Sequence, residues 1–383
     1  MSGVEVRGTV AAGFEGVREE FAAVLAEETA EPGAQLAAYV HGRQVVDLWA
    51  GEGFEGSSLT AVFSNTKGAA HLVVALLVQE GVLALDREVS SYWPEFTGHG
   101  KERLTLRELL AHRSGLIGVD GGLSSEELGD DRLVAERLAG QRPFWEPGSA
   151  YGYHALTIGA LTGEVVRRAT GRTLQEVYEE RIRAPYGLDL WLGLPEAEEG
   201  RFHPMRPMAP TPEQQAFLAA SRPAPDSLLA VAFNPTDDPA YDLLDEYVNT
   251  RRVRALGPAS AGGVGNARGL ARLYAAALSG VDGAPALLKP ETVAEFTRRQ
   301  WTGTDLVTAE PDHFTLGFET EGLRYPPLGP EAFGHCGAAG SEAFADPSTG
   351  LAYGYTRRRY AFPGGAGPEN QRLVAALVRA ATD

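Results

Sequence analysis

The sequence predicts an α/β chain of the α+β kind, with an antiparallel sheet flanked by helices and a mainly helical second part. Three observations carry this. Short β-prone runs lie beside an amphipathic helix near the start of the chain, the same combination returns near its end, and helical periodicity dominates between them. Two ends that complete one layer around an insertion give a discontinuous sheet domain, residues 1–80 and 290–383. A mainly helical domain, 81–289, fills the middle, and the active site is expected at their junction.

Phe14, Val17, Phe21, Val24 and Leu25 repeat at helical spacing, with Glu15, Arg18, Glu19 and Glu20 between them. Glu31-Pro32-Gly33 closes that helix. Leu36 to Val40 and Gln44 to Trp49 are β-prone and join across His41-Gly42-Arg43 as a hairpin. A helix apolar on every side then runs from Ser64 to the stop at Gly81, so it is expected to be buried all round. Leu104 to Leu116 reads as a short helix stopped at Gly115, with His112 as a structural hydrogen-bonder. Ser124 to Arg183 is mostly helical, and Gly171 ends a helix whose buried face holds Ala160, Leu161, Val165 and Val166.

Residues 195–235 are rich in Pro, Ala and Glu with poor periodicity, which predicts a surface excursion, read as a lid over the site. Gly257 to Gly265 is glycine-rich and precedes a helix from Asn266 to Leu278. It lacks the Gly-Lys-Ser/Thr ending and the dinucleotide spacing, which excludes a nucleotide site. Phe314 to Tyr325 is β-prone. Phe333 to Ser341 leads into a second hairpin, Glu342 to Ala345 and Leu351 to Tyr355, across Asp346-Pro347-Ser348-Thr349-Gly350. Asn370 to Thr382 is a last amphipathic helix. The chain has no internal repeat.

Composition narrows the function. A chain of 383 residues with 44% hydrophobic residues buries a large core. A net charge of −17 argues against nucleic acid or an anionic membrane as partner. Cys336 is the one cysteine, so no internal disulfide forms. Met1 to Gly13 lacks the basic and apolar regions of a signal peptide, and no apolar run is long enough to span a bilayer. A cytoplasmic location is the expectation. No His-x-x-x-His or paired-cysteine pattern occurs, so no metal or other cofactor is expected.

The chemistry concentrates at Phe63-Ser64-Asn65-Thr66-Lys67. Ser64 opens the buried helix, and a residue three places on shares its face, so the Lys67 amine can reach the Ser64 hydroxyl. A buried lysine beside a serine loses its proton readily and serves as a base. Lys101 and Lys289, the two other lysines, follow Gly98 and Ala286 at that spacing, so the Ser-x-x-Lys pattern occurs once. The bland alternative is an N-cap serine with a solvated lysine. No serine lies in Gly-x-Ser-x-Gly, so the nucleophile elbow of α/β-hydrolases is missing. Tyr151 and Tyr153 stand at the mouth of the helix that contains Gly159, and Gly334-His335-Cys336-Gly337-Ala338 opens a strand with small residues that let a ligand approach the backbone. Read alone, Tyr153 is also a core tyrosine, His335 a satisfied strand histidine and Cys336 a small buried hydrophobe.

In order along the chain, Val46-Asp47-Leu48-Trp49, Ser64-x-x-Lys67, Leu85-Asp86, Tyr92-Trp93-Pro94-Glu95-Phe96, Leu109 to Leu116, Tyr153-His154 and His335-Cys336-Gly337 resemble the serine β-lactamase-related family. That group includes class C β-lactamases and D-Ala-D-Ala carboxypeptidases, and the likeness is greatest to its carboxylesterase branch, the family VIII esterases. The resemblance implies the β-lactamase/transpeptidase-like fold. It implies Ser64 as nucleophile, Lys67 as helper base, and Tyr153 rather than Tyr151 as the motif tyrosine, counted back six residues from Gly159. Ala155 stands where the family motif has Asn, and His335-Cys336-Gly337 where β-lactamases have Lys-Thr-Gly. His335 and Gly337 are then expected to bind substrate, and the Ser64 and Ala338 N–H groups to form the oxyanion hole. Both departures put efficient β-lactam hydrolysis in doubt and leave ester chemistry intact.

The expected function is hydrolysis of a small-molecule ester through a Ser64 acyl-enzyme, with Lys67 and Tyr153 sharing the proton relay in an order the sequence leaves open. The rival readings are an acyltransferase on the same acyl-enzyme, an amidase, D-aminopeptidase or weak β-lactamase, and a penicillin-binding-type sensor that acylates once and stalls.

Overall fold

A computed structural model describes residues 5–28, 30–234 and 247–382. Met1 to Val4, part of the stretch read for a signal peptide, and Pro235, the last residue of the expected excursion, lie outside them. The central sheet has seven strands: β1 (Arg7–Val10), β2 (Ala34–Val40), β3 (Arg43–Ala50), β4 (Glu319–Thr320), β5 (Phe333–Cys336), β6 (Glu342–Asp346) and β7 (Leu351–Arg357). Their order is β1-β3-β2-β7-β6-β5-β4, and every neighbouring pair is antiparallel. The two predicted hairpins thus lie side by side, joined where β2 pairs with β7. The first turns on His41 and Gly42 alone, both in the left-handed region at φ 47° and 76°, and Arg43 already belongs to β3. A two-residue turn of that hand matches the twist of its strands.

Alternation along the strands explains how the sheet is covered. Leu351, Tyr353 and Tyr355 of β7, with Leu36 and Ala38 of β2, face one side, where they pack with Val17 and Phe21 of α1 (Glu15–Ala26) and with Leu373 and Leu377 of the C-terminal helix, Glu369–Thr382. The opposite face of β7 carries Ala352 and Gly354. A Cβ at Gly354 would stand 2.4 Å from the Ala267 carbonyl oxygen, so a bare α-carbon is what lets the helix Ala267–Leu278 lie close on the sheet. Counting by sequence puts that helix in the helical part; its packing puts it on the sheet.

α2 (Asn65–Gln79) is the hub. Every residue from Asn65 to Leu77 is buried, as its all-round apolar pattern predicts, and Gly81 at φ 74° follows its end. It touches β5 and the 267–278 helix on one side and helices of the middle region on the other. Gly68 sits under the Tyr274 ring, where a Cβ would stand 2.2 Å from the phenol oxygen. Gly68→Ala is therefore expected to cost about 1–3 kcal/mol through overpacking, seen as a lower unfolding temperature. Adding Tyr274→Phe removes the clashing oxygen, which is buried without a partner, and should recover most of the loss.

Three expected elements differ from the structure. The helix after Leu104 is only α3 (Leu106–Leu110), opened by a Thr105–Glu108 capping box. It stops short of Gly115 because the chain turns at His112, φ 57°, carrying that ring to within 5.6 Å of the Tyr153 ring centroid. The β-prone run from Phe314 to Tyr325 yields the two residues of β4 and then a helical turn, Glu321–Arg324, because Glu319, Glu321 and Arg324 are drawn into one buried ionic cluster. The excursion after residue 195 is partly helical, with Pro212–Ala220 and Leu228–Phe233 as helices, each begun by a capping side chain.

Candidate active site

Ser64 is the N-cap of α2, and the residue before it, Phe63, lies at φ 50°. A left-handed phenylalanine is a strained conformation that surrounding bonds must hold. Here Thr66 Oγ1 donates to the Phe63 carbonyl and accepts the Gly263 N–H (2.9 Å), while the Val62 N–H donates to the Gly263 carbonyl (3.0 Å). The turn brings Ser64 to the start of the helix with its hydroxyl clear of capping duty, since it accepts no N–H of the helix.

Lys67 is wholly buried. Its Nζ lies 2.9 Å from Ser64 Oγ, 2.7 Å from the Ala155 carbonyl and 2.8 Å from the Ser260 carbonyl. Burial pulls its pKa down to about 7, against the opposing pull of Glu319. With two N–H groups given to the two carbonyls, a neutral Nζ directs its lone pair at the Ser64 hydroxyl. The Tyr153 hydroxyl lies 2.9 Å from the same Ser64 oxygen, and Lys67 Nζ stands 5.0 Å from the Tyr153 ring centroid. Burial, then the Glu319 charge, pushes the Tyr153 hydroxyl well above its ordinary range, so it keeps its proton. Tyr153 is stacked on Phe314 at 5.3 Å. Tyr151 points elsewhere and donates to the Gly303 carbonyl (2.7 Å). The arrangement thus brings an amine able to accept a proton and a phenol able to donate one to a single hydroxyl.

Ser64 and Tyr153 open into a cavity of about 530 Å³, whose wall also includes Phe233, Cys336, Ala338 and Tyr360. Among the described residues, no group accepts a hydrogen bond from the Ser64 or the Ala338 N–H. Gly337 is buried. A Cβ there would meet Ser341 Oγ at 2.2 Å and the Val62 carbonyl oxygen at 2.6 Å, so glycine serves the close approach of β5 to the start of α2 rather than a contact in the cavity wall. His335 departs furthest from expectation. Its ring is fully buried, lies outside the cavity wall, and has Nδ1 at 2.9 Å from the Cys336 carbonyl and 3.3 Å from Glu319. Burial lowers its pKa to about 4. Strand alternation turns Cys336 toward the cavity and His335 away from it.

Beside β5, with Glu319, Arg324 and Tyr325 reaching the cavity wall, lies a buried cluster that the sequence did not reveal. Arg324 pairs with Glu319 at 2.5 Å and with Glu321 at 3.1 Å, and Tyr325 donates to Glu342 at 2.6 Å. Burial alone would raise the Glu319 carboxyl, but the Arg324 guanidinium holds it well below the usual carboxylate range. Burial raises Glu321, and raises Glu342 to about 7. Glu319, His335 and Cys336 offer ligand atoms within 4.8 Å of one another, the one such group among the described residues. Glu319 is occupied by Arg324, and His335 Nδ1 faces a carbonyl. The carbonyls of Ala155 and Ser260 were also missed, because backbone atoms leave no residue-type signal. No helix among the described residues is long and apolar enough to cross a membrane.

A buried Ser-x-x-Lys pair at the head of a helix, met by a tyrosine hydroxyl beside an antiparallel sheet, defines a serine hydrolase of the carboxylesterase-like kind. The beta-lactamase family model matches residues 19–376, and the chain belongs to that family. The esterase/beta-lactamase LipL of Mycobacterium tuberculosis (strain ATCC 25618 / H37Rv) is 31% identical over 350 residues, 86% of this chain and 78% of that protein. The structure of EstA from Arthrobacter nitroguajacolicus Rue61a superposes with a TM-score of 0.89 at 44% identity, covering 98% of each chain. A family VIII carboxylesterase superposes at 0.83 with 32% identity, over 98% of this chain and 100% of that one. The fold is therefore the β-lactamase/transpeptidase-like one, and the likeness lies toward its carboxylesterases.

Proposed function

We propose that this protein hydrolyses small-molecule carboxylic esters through an acyl-enzyme on Ser64. The observation that carries the reading is the pair of 2.9 Å contacts that Ser64 Oγ makes with Lys67 Nζ and the Tyr153 hydroxyl. Lys67, whose pKa of about 7 leaves a large neutral fraction near that pH, takes the proton as Ser64 Oγ attacks the acyl carbonyl. The Ser64 and Ala338 N–H groups receive the developing oxyanion. Tyr153, which holds its proton, gives it to the departing alkoxide and regains one from the Lys67 ammonium. Water then gives a proton to neutral Lys67 as it attacks the acyl carbon, the bond to Ser64 Oγ breaks, and Ser64 takes that proton back as the acid leaves. The esterase names of the related proteins support an ester as substrate. Charge supports it too: among the described residues Arg324 is the one arginine or lysine in the cavity wall, and its pairing with Glu319 leaves neither kind unpaired there for a β-lactam carboxylate.

Intact-protein mass spectrometry during turnover of a short-chain p-nitrophenyl ester tests this. A transient acyl mass with nitrophenol release, both lost in Ser64→Ala, is the expected result. A persistent acyl mass without turnover would point to a sensor or to a transferase lacking its acceptor. Nitrophenol release that survives Ser64→Ala would end the account.

A further inference from the structure

The glycine-rich stretch that holds no nucleotide supplies one of the two carbonyls gripping Lys67. Within Gly257-Pro258-Ala259-Ser260-Ala261-Gly262-Gly263 the Gly262 N–H closes a turn on the Pro258 carbonyl at 2.7 Å, and contacts from outside the stretch fix where that turn sits. Two grips do this. Asp131, the first residue of the helix Asp131–Gly140, accepts the Ala259 N–H on Oδ2 at 2.8 Å. The same oxygen accepts Gln175 Nε2 at 2.9 Å, and that nitrogen also reaches the Gly257 carbonyl at 3.1 Å. On the other side Ser260 Oγ accepts the Gly159 N–H at 2.8 Å, and Gly159 packs so tightly that a Cβ there would stand 2.2 Å from the Ser260 nitrogen.

We propose that Asp131 is a positioning residue for the hydrolytic reaction: by holding the Ala259 N–H it fixes the neighbouring Ser260 carbonyl, and that carbonyl aims the Lys67 amine at Ser64. The inference rests on Lys67 acting as the base. The carboxylate sits at a helix N-terminus, which favours its negative charge. Asp130 is the charged group that acts on it. The 257–263 loop meets it with the backbone N–H of Ala259, and the 174–178 helix with the Gln175 amide. Burial raises its pKa to about 6, so acid converts the carboxylate to a weaker acceptor just below the range in which Lys67 itself becomes protonated.

The test compares wild type, Asp131→Ala, Asp131→Asn and Ser64→Ala on the same p-nitrophenyl ester from pH 5 to 8, at a temperature below the unfolding of every variant. Asp131→Ala should lose about tenfold in kcat with KM changed less than about twofold, because the base is misaimed while the cavity is untouched. Asp131→Asn keeps an oxygen acceptor for the Ala259 N–H and should recover most of that loss. A protonated Asp131 keeps a carbonyl oxygen for the Ala259 N–H, as the Asn amide does, so wild type and Asp131→Asn should share the acidic limb that Lys67 sets near pH 7. Unchanged kcat in Asp131→Ala, a rise in KM as large as the loss in kcat, or no recovery in Asp131→Asn would each overturn the proposal. Ser64→Ala separates the two levels: if it is inactive while Asp131→Ala is unimpaired, only the Asp131 role falls, whereas an active Ser64→Ala removes the esterase reading beneath it.

Discussion

Ser64→Ala is expected to reduce ester turnover by at least ~10⁴-fold while leaving the fold intact. No other hydroxyl stands within hydrogen-bond reach of both Lys67 Nζ and the Tyr153 oxygen among the described residues, so nothing replaces the lost nucleophile. The stability side follows from the same geometry. Ser64 Oγ caps no helical N–H, so its removal deprives the start of α2 of nothing, and the two carbonyls still hold the Lys67 amine. Steady-state rates beside a thermal melt check both halves. A variant that loses activity and also melts many degrees lower would show damage to the helix instead of loss of the nucleophile.

Lys67→Ala should cost ~10²–10⁴-fold, the range for losing a general base. The pH profile gives the sharper result. Only the neutral amine accepts the Ser64 proton, so activity should fall as pH drops through about 7, the value to which burial pulls Lys67. The sign in stability is the same. An unfolded lysine holds its proton to about pH 10.4, whereas Lys67 in the fold releases it near 7, so the penalty for burying it is greatest at and below pH 7 and shrinks as pH rises through that window. A kcat/KM profile with its acidic limb near pH 7 and unfolding midpoints that rise between pH 7 and 9 are the expected outcomes. An acidic limb near pH 4–5 would assign the titration to a carboxylate and remove Lys67 from the role.

Much of the sheet was legible because its cues are local. The His41-Gly42 and Asp346 to Gly350 turns sit between alternating apolar runs, and a hairpin needs little more. The run from Phe314 to Tyr325 misled because its β-prone residues flank Glu319, Glu321 and Arg324, whose pairing in the interior bends the chain after two strand residues. The helix 267–278 is legible as a helix but its packing on the sheet is not, because the glycine and alanine that admit it lie on β7, some eighty residues away.

The sequence by itself determined the Ser64–Lys67 pairing, since a spacing of three on one helix face is set by the 3.6-residue turn, and it determined that this helix is buried, since its pattern is apolar all round. The family resemblance favoured Tyr153, whose hydroxyl meets Ser64, but only the tertiary structure decided that His335 turns away from the cavity while Cys336 turns toward it, and that backbone carbonyls from Ala155 and Ser260 hold the lysine. Those contacts join segments 88 and 193 residues from Lys67, and carbonyl oxygens are the same on every residue. Their placement depends on packing between distant elements, which no local pattern of side chains encodes.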